Sequence, residues 1–223
     1  MPPTSSPVVG AHAGPPGPSR DPRSWATLLI TAAAGCGLDL VSKSLAFARI
    51  ADVPVVIERA DVVRVGPGRL GALIPRHQPV VVLDGILEFT LVLNPGAVFG
   101  IGAGKRWFFI IFTGAAIVFA LALFIKWTTA RQRWTHFAIG LVLAGGLGNL
   151  YDRVVFGCVR DFLHPLPAMV LPFGWSWPWG GREVWPYVSN VADALLIVGI
   201  AIMIGHALRH GDSGSARGRP VPQ

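Results

Sequence analysis

Four long apolar runs constrain the fold of this chain more than any other feature. At about 1.5 Å of rise per residue, a helix of some 20 residues covers the roughly 30 Å hydrocarbon core of a bilayer. We therefore predict an all-α membrane protein, a bundle of four transmembrane helices. The four runs are Trp25–Phe47, Trp107–Trp127, Trp134–Tyr151 and Tyr187–Leu208.

Composition agrees with lipid as the solvent of these runs. Hydrophobic residues make up 52% of the chain and charged residues only 14%, whereas a soluble domain carries about 25% charged residues. The net charge of +7 is compatible with nucleic-acid binding, but much of it lies in the tails and short connections, as in the cytoplasmic parts of membrane proteins. Cys36 and Cys158 have no metal-binding spacing. We expect neither a nucleic-acid partner nor a metal.

The two ends of the chain differ in composition from the runs between them. Residues 1–23 are rich in Pro, Gly and Ser, and residues 209–223 are basic and rich in Gly. Both compositions predict disordered tails, which leaves a membrane domain at 24–208. A cleavable signal peptide ending near Ala46-Phe47-Ala48 is a competing interpretation, but the first run is longer than the usual h-region of about 7–15 residues.

Four spans would place both termini on the same side of the membrane. The short connection between the second and third runs holds Lys126, Arg131 and Arg133, and the positive-inside rule makes that side cytoplasmic. The longer connections, 48–106 and 152–186, then face outward.

The first outward connection contains residues that favour β-structure. Val53–Ile57, Val80–Leu83 and Ile86–Leu93 are rich in β-branched and apolar residues, and Pro and Gly lie between them. We predict a small extracytoplasmic β-containing module at 51–105, between helices 1 and 2. It ends in a turn-rich stretch, Asn94–Gly100.

The second outward connection is suited to a membrane surface. Residues 162–186 contain five Pro and four Trp, which makes them a poor span but a good interfacial segment. Because Trp is enriched at membrane interfaces, we hypothesise that the four indoles seat this loop at the outer lipid surface. They are Trp175, Trp177, Trp179 and Trp185.

Polar side chains in and beside the runs fall at one depth. Asp39 lies about 21 Å from the inner end of the first run, and Lys43 is one helical turn further out. Asp193 lies about 9 Å below the outer end of the fourth run. A charged group within a span costs about 2.5–3.5 kcal/mol, so these groups are functional candidates. Near the same level lie Asn94, Asn149, Asp152, Arg153, Asp161 and Asn190.

Two of these carboxylates are harder than the rest to explain by structure alone. Asp193 has no basic neighbour in sequence, and the side chain of Arg160 should diverge from adjacent Asp161. The two indicate either a dyad for acid–base chemistry or an ion path. The other groups have structural alternatives: a helix pair for Asp39 with Lys43, an end pair or charge network for Asp152 with Arg153, and interhelical hydrogen bonds for Asn149 and Asn190.

A carboxylate dyad is suited to peptide hydrolysis. Two close carboxylates share one proton, so the ionised member activates water while the protonated member polarises a carbonyl. The chain contains no HExxH motif of a zinc protease. Ser42 and Ser44 flank Lys43 but do not face it on a helix, and Cys158 with His164 is a weaker nucleophile–base pair.

Four short motifs carry a family resemblance. They are Asp39-Leu-Val-Ser-Lys43; Asn94-Pro-Gly-Ala-Val-Phe-Gly100; Gly148-Asn149-Leu-Tyr-Asp152-Arg153 with Gly157, Val159, Asp161 and Phe162; and Asn190-Val-Ala-Asp193. In this order the chain resembles lipoprotein signal peptidase, or signal peptidase II, the bacterial membrane aspartyl protease. Each motif is modest alone, but the four together are highly specific.

The resemblance implies a function and roles for the residues. The enzyme would remove the signal peptide from diacylglyceryl-modified prolipoproteins, cutting before the lipidated Cys, without metal or cofactor and with inhibition by globomycin. It would lie among the lipids of the bacterial inner membrane, and we expect a monomer. The implied catalytic residues are Asp161 and Asp193; the residues that hold substrate are Asn94, Asn149, Arg153 and Asn190; the supporting residues are Asp39, Lys43, Gly96 and Asp152.

The chain departs from the family pattern in two loops and one residue. Residues 164–185 are longer than the family's gating segment, the region at 55–80 is extended, and Ser189 replaces a usual Phe. An alternative function is a small transporter or proton relay that uses Asp39, Lys43 and Asp193. A non-catalytic membrane scaffold is a third class.

Overall fold

The computed structural model describes residues 17–18, 21–96, 106–178 and 180–215, with side chains as far as residue 209. Its helices are α1 (Pro22–Arg49), α2 (Arg59–Val65), α3 (Arg106–Trp127), α4 (Arg133–Val155) and α5 (Val191–Ser215). Its strands are β1 (Val80–Leu83), β2 (Leu87–Asn94) and β3 (Val159–Pro165). Most of the predicted tails, at 1–16, 19–20 and 216–223, and the predicted turn at 97–100 lie outside the described residues.

The long helices pack around α4. This helix contacts α1, α3 and α5, and small residues on its surface permit the close approach. A Cβ at Gly145 would meet the carbonyl oxygen of Ala192 and lie 2.7 Å from Leu196 Cγ. A Cβ at Gly148 would meet the Asp39 carboxylate. Because helices in lipid associate largely through such packing, these glycines fix where the polar groups of α1 and α5 lie.

Three of the described helices are long and apolar enough to cross a membrane. They are α1, α3 and the Val191–Arg209 part of α5. The remaining predicted span, α4, has 23 residues. It carries glycines and polar residues, and much of its surface is buried against the other three helices.

A three-stranded antiparallel sheet lies beside the bundle, in the order β1-β2-β3. The predicted strands at 80–83 and 86–93 are confirmed as β1 and β2. The sequence predicted a β-module confined to residues 51–105. That boundary is wrong, because the third strand, β3, follows α4. Its register places Val92 opposite Asp161. The sheet therefore joins the module between α1 and α3 to the segment between α4 and α5.

The predicted strand at Val53–Ile57 is wrong. These residues are extended but join no sheet, because Val55 N–H donates to the Phe47 carbonyl at 2.8 Å and the chain lies against the end of α1. The side chains of Val55 and Ile57 instead enter the core of the outer module, while Val53 and Val56 are exposed. That core contains Phe47, Ala51, Val55, Ile57, Val62, Leu70, Leu91, Leu93, Cys158 and Phe162. It seats β2 and β3 firmly on α1.

Both ends of the bundle differ from their predicted boundaries. Helix α1 begins at Pro22, where Asp21 caps the N–H groups of Arg23 and Ser24. Helix α5 begins at Val191 rather than Tyr187, because Ser189 pairs with Leu163 of β3 through backbone bonds of 2.7 and 2.8 Å. At its other end α5 continues to Ser215, so the prediction of disorder from residue 209 is wrong as far as residue 215.

Close packing of α4 on α5 is testable with two glycine variants. We expect Gly145→Ala to lower stability by about 1–3 kcal/mol, because its methyl group would overlap a backbone carbonyl. Gly37→Ala on α1 is the matched control, since its Cβ would meet nothing within 4 Å, and it should stabilise by up to about 1 kcal/mol. Thermal unfolding of the purified protein in one detergent measures both. Equal melting temperatures for the two variants would contradict the packing.

Candidate active site

A buried lysine ammonium lies at the centre of the polar network. Lys43 Nζ is 2.7 Å from Asp39 Oδ2, 2.9 Å from Asn149 Oδ1 and 3.6 Å from Asp152 Oδ2. Lys43, Asp39 and Asp152 are fully buried. The predicted pairing of Asp39 with Lys43 along α1 is confirmed, and it extends to α4. A buried charge of this kind persists only when it is paired and hydrogen-bonded.

Asp152 has a different partner from the one expected. It accepts hydrogen bonds from Arg160 at 2.9 Å through both the backbone N–H and the guanidinium. Arg160 also lies 4.2 Å over the ring of Phe156. The pair predicted between Asp152 and Arg153 does not form, since adjacent helical residues point apart. Arg160 therefore supports Asp152. From the sequence, Arg160 was considered only as a neighbour of Asp161 and was not assigned this role.

Lys43 sets the orientation of the Asn149 amide. An ammonium group only donates hydrogen bonds, so the amide oxygen of Asn149 faces it. The amide nitrogen then points the other way and donates to Asp193 Oδ1 at 2.8 Å. The charge of Lys43 on α1 therefore determines that Asn149 of α4 presents its amide N–H, not its oxygen, to Asp193 of α5.

Asn190 contacts both carboxylates of the expected dyad. Its Nδ2 donates to Asp161 Oδ1 at 2.5 Å and to Asn149 Oδ1 at 3.1 Å. Its backbone N–H donates to Asp193 Oδ2 at 3.2 Å, and its Oδ1 accepts from Asp193 N–H at 3.1 Å. The last two bonds form a reciprocal cap at the start of α5, the geometry of a capping box.

The environments of Asp161 and Asp193 are unequal. Asp161, on β3, is 1% exposed, whereas Asp193 is only partly buried. Burial, and next the charge of Asp193, raise the pKa of Asp161 to about 7, although hydrogen bonds from Asn190 and Asn94 act in the opposite direction. Asp161 is therefore the carboxyl that holds a proton below about pH 7. The N-terminal turn of α5 favours negative charge on Asp193.

Arg153 lies at the edge of this cluster. Its guanidinium donates to the Asn149 carbonyl at 3.2 Å and lies 5.4 Å over the Phe109 ring. Its Nε is buried and has no hydrogen-bond partner among the residues that the structure describes. Arg106 was not expected in this region; its Nε donates to the Arg153 carbonyl at 2.8 Å at the end of α4.

Gly96 supports the turn that positions Asn94. Its N–H donates to Asn94 Oδ1 at 2.9 Å. Its φ of +96° lies in the region that glycine favours. A Cβ there would lie 2.6 Å from the ring of Phe109. This backbone position therefore favours glycine over other residues.

The other nucleophiles considered from sequence are occupied elsewhere. Burial raises the pKa of the Cys158 thiol to about 12, so little thiolate exists at neutral pH. His164 pairs with Glu88 at 2.8 Å instead of Cys158. Ser42 and Ser44 donate to backbone carbonyls of their own helix. Among the described residues, no three His, Cys, Asp or Glu side chains form a group that could hold a metal ion.

Apolar helices of spanning length, with an unequal pair of carboxyl groups beside them on β3 and at the start of α5, define a class of protein. They are the features of a membrane enzyme that performs acid–base chemistry, since two carboxyl groups in unequal environments are suited to proton transfer.

Comparisons with known proteins agree with this class. The family described as Signal peptidase (SPase) II matches residues 31–209. A lipoprotein signal peptidase of Anaeromyxobacter sp. is 30% identical over 82% of this chain and 84% of its own. The lipoprotein signal peptidases of Desulfitobacterium hafniense and Bacillus subtilis are 34% and 33% identical, over 57% and 56% of this chain and 72% of their own length.

Two solved structures share the fold. Both are described as bacterial membrane enzymes studied by the in meso method. Their TM-scores are 0.58 and 0.56 at 24% identity, over 95% and 88% of this chain and 100% and 98% of theirs.

The chain belongs to the signal peptidase II family. Its activity is that of a lipoprotein signal peptidase, an endopeptidase of the aspartic type. The transporter and scaffold alternatives are therefore set aside.

Removing the buried Lys43 ammonium should lower the free energy of unfolding much more than removing a surface ion pair. We expect Lys43→Ala to destabilise the protein by about 3–5 kcal/mol, because it leaves the Asp39 and Asp152 carboxylates buried without their cation. Arg64→Ala removes a surface pair with Asp61 and should cost about 1 kcal/mol or less. Thermal unfolding in detergent compares the two. Equal losses would show that Lys43 does not hold the bundle together.

Proposed function

We propose that Asp161 and Asp193 are the catalytic dyad of this peptidase. The observation that carries the proposal is the position of Asn190, which hydrogen-bonds to a carboxylate oxygen of each. The elevated pKa of Asp161 provides the asymmetry that such a dyad needs.

The proposed reaction begins with the charged, more accessible Asp193. It accepts a proton from water while the water oxygen attacks the scissile carbonyl. Asp161 donates its proton to the carbonyl oxygen, which gives a tetrahedral diol. As the C–N bond breaks, the nitrogen takes the proton from Asp193 and the diol returns a proton to Asp161. The cycle forms no covalent enzyme intermediate and restores both carboxyl groups.

The surrounding residues divide into positioning and substrate-binding groups. Asn149 and Asn190 line the site, but both Asn190 amide protons are used internally and Asn149 Nδ2 donates to Asp193. We propose that these two position the dyad, and that Asn94 lines its sheet side. Arg153 is the better candidate for binding a substrate carbonyl, because its buried Nε–H donates to no described residue.

We further propose the substrate and the membrane arrangement. The substrate is a prolipoprotein whose lipobox Cys carries diacylglycerol, with cleavage just before that Cys in the bacterial inner membrane. Helix α4 is a span, the third of four along the chain, in a peptidase domain at 24–208; both termini are cytoplasmic, and the dyad lies near the outer face. Support comes from the basic connection 126–133 at the opposite end of the bundle, and from the outer module that α1, β2 and β3 hold together.

Replacing either carboxylate tests the dyad. We expect Asp161→Asn and Asp193→Asn each to lower the rate of cleavage of diacylglyceryl-modified prolipoprotein by at least about 100-fold, since each removes one proton-transfer group. Asp84→Asn, an exposed carboxylate of the outer module, is the control and should retain full activity. The assay follows release of the signal peptide in proteoliposomes. Retained cleavage in both dyad variants would contradict the assignment.

The pH profile tests which carboxyl holds the proton. A reaction that needs protonated Asp161 slows as pH rises through about 7, the raised pKa of that carboxyl. Because the hydrogen bond from Asn94 lowers this pKa, Asn94→Ala should move the alkaline limb to higher pH. The measurement is initial rate against pH for both proteins. A limb that stays in place, or moves to lower pH, would show that Asp161 is not the proton donor.

A further inference from the structure

The segment between the two proposed catalytic residues contains a second, smaller hairpin. Leu171 N–H donates to the Arg182 carbonyl at 2.7 Å, and Val184 N–H donates to the Met169 carbonyl at 2.8 Å. Trp177 N–H donates to the Gly181 carbonyl at 3.0 Å near the tip. We call residues 169–185 the aromatic hairpin. Its described residues are joined by cross-strand backbone hydrogen bonds, so they form more than a simple connection.

The aromatic hairpin exposes large apolar side chains. Phe173 is 91% exposed and Trp175 is 67% exposed. Phe173 also has a φ of +59°, a left-handed conformation that is unfavourable for a residue with a large side chain. Ordered, exposed aromatic side chains on a strained turn indicate a binding surface. Met169, Val170 and Trp185 are further exposed apolar residues of this hairpin.

Strand β1 extends this apolar surface. All four of its residues, Val80–Leu83, are exposed aliphatic side chains. A cavity of about 390 Å³ lies between β1 and the base of the hairpin. Val81 and Leu83 of β1 and Pro167 and Ala168 at the base of the hairpin line it, together with the polar side chains of Asp84, Glu88, His164 and Glu183. The two exposed surfaces are therefore neighbours.

The chain length limits how far this surface lies from the bilayer. Trp185 precedes the first residue of α5, Val191, by six residues, which reach at most about 21 Å. Ser189 is also held on β3 by backbone bonds. Because α5 has the length and hydropathy of a spanning helix, its first residues lie near the membrane surface. The base of the hairpin therefore lies near that surface as well. Trp and other aromatic residues are favoured in that zone.

We propose that the aromatic hairpin inserts Phe173 and Trp175 into the headgroup region of the outer leaflet. Its occupant is the phospholipid bilayer itself. Insertion would hold at a fixed depth the segment that joins Asp161 to Asp193, so this inference rests on the proposed dyad. Trp177 has a separate role, because its Nε1 donates to the Glu183 carbonyl at 2.8 Å and stabilises the hairpin from within.

The position of residue 173 is tested with a fluorescent label on the full chain in liposomes. Cys36 and Cys158 are replaced by Ala, and one environment-sensitive dye is attached through Phe173→Cys or, as a control, through Arg76→Cys on an exposed loop. Nitroxide lipids labelled near the headgroup should quench the dye at position 173, while iodide in the buffer should not. The dye at position 76 should show the reverse. Iodide quenching at 173, or protection from both quenchers as a second protein copy would give, overturns the proposal.

A second experiment compares the cleavage activity of a double variant in liposomes and in detergent micelles. This variant retains the native cysteines. We expect Phe173→Ser with Trp175→Ser to lower cleavage of lipidated prolipoprotein about 10-fold in liposomes and less than 2-fold in detergent micelles. Equal loss in both media would mean that the hairpin contacts substrate or holds the dyad directly, and no loss in liposomes would mean that insertion has no role; either result overturns the inference. Failure of the dyad itself would appear separately, as retained cleavage in the Asp161 and Asp193 variants with the lipid quenching unchanged.

Discussion

The site depends on one charged group placed where lipid surrounds the protein, the Lys43 ammonium. An unpaired ammonium at that position would be too costly to bury, so it collects Asp39 from its own helix and Asn149 and Asp152 from α4. Asn149 can present only its amide nitrogen to Asp193, because its oxygen is committed to Lys43 and Asn190. The direction of the bond from Asn149 to Asp193 follows from this pairing.

The network is possible only because the helices approach closely. Glycines on α4 allow α1 and α5 to come within contact of its backbone, and the Asp39 carboxylate occupies the space beside Gly148. Asp39 in turn accepts from Ala192 N–H of α5 at 2.8 Å. A carboxylate of α1 thus binds an N-terminal backbone donor of α5, which fixes the height of Asp193 relative to Asp161. Packing and electrostatics therefore determine the same geometry.

Sequence patterns were informative where the determining interaction is local. Hydropathy predicted α1, α3 and most of α5, and the i, i+4 spacing predicted the bond from Lys43 to Asp39. Two features were missed or misassigned. Strand β3 joins a sheet begun before α3, which depends on contacts between distant segments. Arg160 rather than Arg153 pairs with Asp152, because the chain turns between α4 and β3 and brings Arg160 back to the end of α4. The boundary of α5 did have a local signal, the N-x-x-D pattern of Asn190 and Asp193, which fits a helix cap as well as a family motif.

In the proposed dyad, Asp161 carries the proton near neutral pH and Asp193 carries the negative charge. Infrared difference spectroscopy of the protein in membranes, titrated from acid to alkaline pH, tests this without any substrate. We expect a protonated-carboxyl band that disappears with a midpoint of about pH 7 and is absent from the Asp161→Asn protein. A band that persists unchanged in that variant, or the lack of any such band near neutral pH in the unmodified protein, would contradict it.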